Sequence, residues 1–224
     1  MKKPVIAIDG YSSTGKSSIS KVIAEKLGLI HLDTGALYRG VTLFALQNCT
    51  NEDGTLDFEK LFSSFGDIQL EFKNDHGELV LYLNDTDISK QIRSNKVSDN
   101  VSLVAKQKEV RDFLLQAQRS LAEKGGIMMD GRDIGTVVLP NADFKFFLTA
   151  SIDERTKRRY AELLSLGIDT DEQQVKQNLI IRDKIDSERE IAPLKQAEDA
   201  IVIDNTRLNK KETIELILSY LKNI

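Results

Sequence analysis

The chain has little of several things that would direct its chemistry. It carries one cysteine, Cys49, among 224 residues, so no internal disulfide can form. A lone cysteine of this kind reads as a small buried hydrophobe before it reads as a reactive thiol. Its two histidines, His31 and His76, stand too far apart to suggest a metal cluster. Histidine acid–base chemistry is therefore not expected at the centre of its function. No apolar run approaches the length of a membrane span. Met1-Lys2-Lys3-Pro4 leads straight into an apolar strand, so no signal peptide is expected and a reduced, cytoplasmic compartment is. Positive charge is not in excess either: 31 basic against 35 acidic residues leave a net charge of −4. That balance, with no aromatic-studded basic surface, argues against nucleic acid as a partner. Repeats and low-complexity tracts are absent.

What is there suits one sizeable globular core, with 41% hydrophobic and 29% charged residues. The most informative stretch is Gly10-Tyr11-Ser12-Ser13-Thr14-Gly15-Lys16-Ser17, which fits G-x-x-x-x-G-K-[ST]. Before it, Pro4 to Asp9 is a short apolar run that reads as a buried strand. After it, Ile19, Val22, Ile23 and Leu27 recur at helical spacing, and Gly28 follows as a stop signal. The glycines let backbone amides close around an anion, and the helix dipole adds partial positive charge there. Lys16 can reach the outer phosphates, and the Ser17 hydroxyl can ligate Mg²⁺. This implies a nucleoside triphosphate and leaves switch, motor and kinase open.

Apolar runs at Ile127 to Met129, Phe144 to Leu148 and Ile201 to Ile203 read as further buried strands, separated by helical patterns. The last helix carries Ile214, Ile217, Leu218 and Leu221 on one stripe. Such alternation predicts an α/β fold: a parallel sheet between two helical layers, with ligands beyond the carboxyl ends of the strands. One segment differs. Residues 67–72 alternate apolar and polar, Asn74 to Gly77 is a turn signal, and Glu78 to Leu83 alternates again. This predicts an inserted antiparallel hairpin. Asn48 to Asp57 reads as a surface loop.

Two basic clusters stand out. Arg155, Arg158 and Arg159 fall at i, i+3 and i+4, so a helix would present them on one face. Arg182, Asp186 and Arg189 would also share a helix face. Solvated charged faces explain both patterns. In a chain with a triphosphate loop, they also fit phosphoryl transfer, which gathers cations around the moving charge.

Three further motifs carry a resemblance. Asp33-Thr34-Gly35-Ala36-Leu37-Tyr38-Arg39 resembles the D-[ST]-G-A-x-Y-R motif of bacterial cytidylate kinases. Asp130-Gly131-Arg132-Asp133-Ile134-Gly135-Thr136-Val137-Val138 resembles their D-G-R-D-x-G-T-x-V motif. Arg182 to Arg189, followed by Ala192-Pro193-Leu194, resembles their R-D-x-x-D-x-x-R segment. The one departure is Tyr11, where many members have proline.

The resemblance implies a single P-loop kinase domain over residues 1–224 that acts as a monomer. It implies a nucleoside-monophosphate region at 36–105 with the hairpin near 67–83, and an arginine-rich helical lid at 153–189. It implies transfer of the γ-phosphoryl group of ATP to CMP or dCMP, with Mg²⁺. ATP would be held by Gly10, Tyr11, Ser12, Ser13, Thr14, Gly15, Lys16, Ser17 and Ser18, with Thr206 and Arg207 bordering the adenine. Ser17 would anchor the metal, with Asp33 or Asp130 holding its waters. Lys16, Arg155, Arg158 and Arg159 would be catalytic. Thr34 would belong to the acceptor site. Arg39, Arg132 and Arg189 would hold the acceptor phosphate, and Arg182 and Asp186 would meet its sugar.

Ser102, Arg111 and Asp133 would read the cytosine edge. Cytosine offers an amino donor beside two acceptors; Asp133 and Ser102 can accept and Arg111 can donate. Uracil lacks the amino donor and would leave those acceptors unpaired. On one straight helix Ser102 and Arg111 would point to opposite sides, roughly 13 Å apart along the axis. Shared contact with one base therefore predicts a helix break near Lys106-Gln107-Lys108. The rivals are a kinase for another acceptor, such as UMP, AMP or a small metabolite, a nucleic-acid-binding ATPase, and a regulatory GTPase. The GTPase would need N-K-x-D, and Asn95-Lys96-Val97-Ser98 and Asn209-Lys210-Lys211-Glu212 both fail at the fourth position.

Overall fold

A computed structural model describes residues 3–75 and 78–221. In chain order the elements are β1 (Val5–Gly10), α1 (Lys16–Leu27), β2 (Ile30–Asp33), α2 (Thr34–Asn48), α3 (Phe58–Ser63), β3 (Leu70–Asp75), β4 (Glu78–Leu83) and β5 (Thr86–Asp87). There follow α4 (Asn95–Ala105), α5 (Lys108–Ala122), β6 (Ile127–Gly131), a π-helical turn (Ile134–Val138), β7 (Phe144–Thr149), α6 (Ile152–Ser165), α7 (Glu172–Glu188), β8 (Ile201–Asp204) and α8 (Lys210–Tyr220). The chain forms two compact units. The first runs to Leu32 and resumes at Leu121; the second covers Asp33–Ser120.

The first unit is built on a five-stranded sheet in the order β2-β6-β1-β7-β8. The pairings of β1 with β6 and β7, and of β7 with β8, are parallel. Ile6 and Ile8 of β1 join Met128, Phe146 and Leu148 in a core completed by Ile19 and Ile23 of α1 and Ile214 and Ile217 of α8. Each such side chain contributes about 1.5–3 kcal/mol by leaving water. On the opposite face Ala7 and Met129 are also fully buried, so the sheet is covered on both sides. That double cover is why the central strands read as unbroken apolar runs. The outer strands do not. Val202 of β8 is 48% exposed, so the expectation of a strand buried throughout fails there. Ile30 of β2 is 56% exposed, and β2 gives no apolar run to find.

Local chemistry sets the helix ends. Gly28 adopts φ 61°, and the N–H of Leu29 closes on the Ala24 carbonyl at 2.8 Å, a Schellman end. Asn209 and Glu212 form a reciprocal capping box at the start of α8.

In the second unit α2, α4 and the three-stranded sheet β3-β4-β5 enclose a separate core that includes Leu37, Val41, Phe44, Leu81, Leu83, Val101 and Val104. Cys49 is fully buried within it, the small hydrophobe expected. The antiparallel insertion is present, but its first strand starts at Leu70 because Phe65–Asp67 is a 3-10 turn. Residues 76 and 77 of the expected turn lie outside the described residues. A third strand was not expected; Asn84 and Asp85, at φ 47° and 62°, turn β4 back into β5. The predicted helix break is there: α4 ends at Ala105 and α5 starts at Lys108.

Candidate active site

The phosphate loop leaves the carboxyl end of β1 under tight constraint. Gly10 takes φ 148°, and a Cβ there would lie 2.1 Å from the Leu148 carbonyl oxygen. Ser13 and Gly15 follow at φ 60° and 86°. The positive-φ residues turn the chain into the N-terminus of α1, where backbone amides are left for an anion. Lys16 is buried, and its Nζ donates to the Tyr11 carbonyl at 3.0 Å, as does the Thr14 hydroxyl. Ser18 Oγ donates to the Gly15 carbonyl at 3.0 Å. The Tyr11 ring meets Phe147 edge-on at 6.0 Å and lies 5.0 Å beneath the Arg155 guanidinium.

Asp130, at the end of β6, lies opposite Ile8 in the sheet. One of its oxygens accepts from the Ser17 hydroxyl at 2.6 Å, and the other meets His31 Nε2 at 2.7 Å. A hydroxyl beside a buried carboxylate is a hard oxygen pair of the kind that suits Mg²⁺, which keeps most of its waters. The residues therefore fit the metal.

Arg132, Arg182 and Arg189 converge on Asp186 instead of facing solvent. Arg132 donates to Ser12 Oγ at 2.6 Å and pairs with Asp186 at 3.0 Å. Arg189 lies 3.5 Å from Asp133. Burial raises the Asp186 pKa, but the charges of Arg132, Arg182 and Arg189 outweigh it and hold the carboxyl below its ordinary value. The expectation that Arg182, Asp186 and Arg189 share one helix face is corrected. Arg189 caps α7 in extended conformation, ψ 140°. The chain then doubles back: Leu194 N–H bonds the Asp186 carbonyl at 2.7 Å, and Arg189 Nε bonds the Ala192 carbonyl at 2.8 Å.

On α6, Arg155 is buried, pairs with Asp183 at 2.7 Å and donates to the Ser12 carbonyl at 3.4 Å. Arg158 pairs with Glu154 and donates to the side chain and carbonyl of Asn205 at 3.0 and 2.9 Å. Arg159 pairs with Glu162 on its own helix at 2.9 Å. The face is therefore not merely solvated: Arg155 and Arg158 brace the phosphate loop. Thr206 receives the Ser151 N–H at 2.9 Å.

Within the second unit, Thr34 is buried as the first residue of α2. Arg39 donates to the Ile92 carbonyl at 3.3 Å and to Ser98 Oγ at 3.2 Å. Ser102 on α4 and Arg111 on α5 are both buried. Arg111 reaches back over the break to the Ala105 carbonyl at 3.2 Å and lies 5.4 Å from the Tyr38 ring centroid. The break thus brings Arg111 to the end of the helix that carries Ser102.

Sequence reasoning passed over three participants. Asn205 is 1% exposed, and its amide donates to the Thr14 carbonyl at 2.9 Å while it receives Arg158. Its place just after β8, at the ligand end of the sheet, was a usable signal. His31 was set aside for want of a metal cluster, and nothing local marks its contact with Asp130. Asp183 is inconspicuous beside the arginines that flank it.

Comparison with known proteins agrees with this geometry. The family described as cytidylate kinase matches residues 6–223. A cytidylate kinase of Streptococcus pneumoniae (strain 70585) is 46% identical over 218 residues, covering 97% of this chain and 96% of its own. A cytidylate kinase of Bacillus cereus (strain ATCC 10987 / NRS 248) is 42% identical over 223 residues, covering 100% and 98%. Among solved structures, an uncharacterized protein from Eubacterium ventriosum ATCC 27560 aligns over 100% of both chains with a TM-score of 0.50 at 15% identity, a likeness of fold alone.

Proposed function

The chain belongs to the cytidylate kinase family, and from that premise we propose how its residues divide the work. The protein transfers the γ-phosphoryl group of ATP to CMP or dCMP, giving CDP or dCDP and ADP. One observation supports the division best. Arg132 bridges the phosphate loop at Ser12 and the acidic centre of the arginine cluster at Asp186. A donor loop and an acceptor clamp sharing one side chain suit direct transfer between two bound nucleotides.

Gly10 to Ser18 cradle the ATP phosphates. The acceptor phosphate oxygen is already ionised near neutral pH, so in-line attack needs no strong general base, and catalysis rests on placement and charge. Lys16 leaves the Tyr11 carbonyl for the phosphates, and Arg155, Arg158 and Arg159 stabilise the charge spread over the transferring group and its leaving oxygen. Mg²⁺ would be held by Ser17, with Asp130 or Asp33 on its waters, and it neutralises phosphate charge when bound. Arg39, Arg132 and Arg189 take the acceptor phosphate. Arg182 and Asp186 take the sugar. Asp133, Ser102 and Arg111 read the base, with Thr34 beside the acceptor. The segment 153–189 acts as a lid that excludes water, which would otherwise take the phosphoryl group.

A coupled assay for ADP with CMP, dCMP, UMP and AMP tests this. CMP or dCMP should be used far better than the other two. Strong preference for UMP or AMP removes the roles given to Ser102, Arg111 and Asp133.

A further inference from the structure

Asp9 is the one acidic residue of β1, and it is 3% exposed in the interior of the sheet. Its carboxylate oxygens each accept one backbone N–H, from Ile134 and from Gly135, both at 2.7 Å. These amides open the π-helical turn Ile134–Val138, whose own bonds start with the N–H groups of Val137 and Val138 on the Asp133 carbonyl. The first amides of such a turn have no partner within it. Asp9 supplies that partner from another strand.

The same residue also fixes the other side of the segment. In the sheet register Asp9 stands opposite Gly131. The dipeptide Arg132-Asp133 is thus held at both ends by one residue: by the strand of Asp9 at Gly131, and by its carboxylate at Ile134. Gly10, the first residue of the phosphate loop, follows directly. Single-turn π-helices occur disproportionately at functional sites. Burial pushes the Asp9 carboxyl up to about 7 despite the two N–H bonds. An apolar residue here would leave the Ile134 and Gly135 amides unpaired, so the carboxylate serves the turn and not the strand that carries it.

We propose that Asp9 is a positioning residue for the acceptor: through the Ile134 and Gly135 amides it sets where Arg132 and Asp133 stand relative to the phosphate loop, and so sets acceptor affinity and base selectivity. This rests on the reading of Arg132 and Asp133 as acceptor-binding residues. The action of Asp9 is indirect, through those two amides.

The test is steady-state kinetics of Asp9→Asn with CMP, UMP and ATP varied in turn. The amide must turn its NH₂ toward one of the two N–H groups, so one bond is lost. KM for CMP should rise about tenfold, the CMP:UMP preference in kcat/KM should fall by a similar factor, and KM for ATP should stay within about twofold. Gly135→Ala is the gentler second variant. Its Cβ would lie 3.3 Å from Asp9 Oδ2 and 3.1 Å from Lys145 Cδ, and so presses on the same contact. It should move the same two quantities in the same direction and decides the matter if Asp9→Asn does not fold. A rise in both KM values together, or a lowered Tm with CMP KM and selectivity unchanged, overturns the proposal. If the unsubstituted protein itself does not use CMP, the acceptor reading fails and this inference falls with it, an outcome distinct from a null effect of the variants.

Discussion

Replacing Asp186 by Asn removes one charge from a place that holds at least three of the opposite sign. Asp186 is 4% exposed, pairs with Arg132 at 3.0 Å, and feels the charges of Arg182 and Arg189. Asn keeps the shape and loses the compensation. Removing one partner of a buried ion pair costs about 3–5 kcal/mol, because the remaining charge stays buried. For a chain of 224 residues each kcal/mol lowers Tm by about 2–4 °C, so the variant should melt roughly 6–20 °C below the parent at neutral pH. Thermal melts followed by circular dichroism measure this. Added sulfate should narrow the gap, since a dianion can replace the missing charge among the arginines. The pH dependence has a definite sign. The folded pKa of Asp186 is lowered, and its unfolded value is near the ordinary ~3.9. Its contribution is therefore fully present above about pH 4 and is lost as pH falls through the folded value. The difference between parent and variant should be constant from about pH 5 to 8 and shrink in acid. A gap under about 2 °C at pH 7, or one that widens on acidification, refutes the claim that this carboxylate holds the arginines together.

Lys16→Ala should lower kcat by about 10²–10³ with the far-ultraviolet spectrum unchanged, the loss typical of one electrostatic donor; near-normal turnover would remove Lys16 from catalysis. Arg111→Ala should cut the preference for CMP over UMP by about tenfold or more while KM for ATP stays put, and an intact preference would clear Arg111 of base reading. Gly10→Ala places a Cβ 2.1 Å from the Leu148 carbonyl oxygen at φ 148°, so about 3 kcal/mol or more should be lost, and soluble protein of parental Tm would contradict the tight approach of β1 to β7.

Much of this could be read from the chain because it is written locally. The phosphate loop is legible because Gly10 and Gly15 must take positive φ within a few residues of an apolar strand and an amphipathic helix. The end of α1 is legible because Gly28 closes it within five residues. The break between α4 and α5 follows only once the resemblance assigns Ser102 and Arg111 to one base, since residues nine apart on one straight helix could not share it. The edge strand β2 escaped because its four residues alternate apolar with polar and Ile30 faces water, so no apolar run marks it. The exit of Arg189 from α7 escaped because it is set by a backbone return to Asp186, which no periodicity announces.

The sequence alone determined the central strands, the first and last helices, the anion-binding loop and the family of motifs, since these depend on φ preference, side-chain period and residue type over short spans. Only the tertiary structure decided who meets whom. Arg132 reaches Ser12 across 120 residues, Asn205 reaches Thr14 across 191, and Asp9 reaches Gly135 across 126. Those meetings follow from the strand order β2-β6-β1-β7-β8, which sets β1 between β6 and β7. That order rests on burying apolar surface contributed by strands far apart in the chain, and so it is a property of the packed chain that no short stretch of it contains.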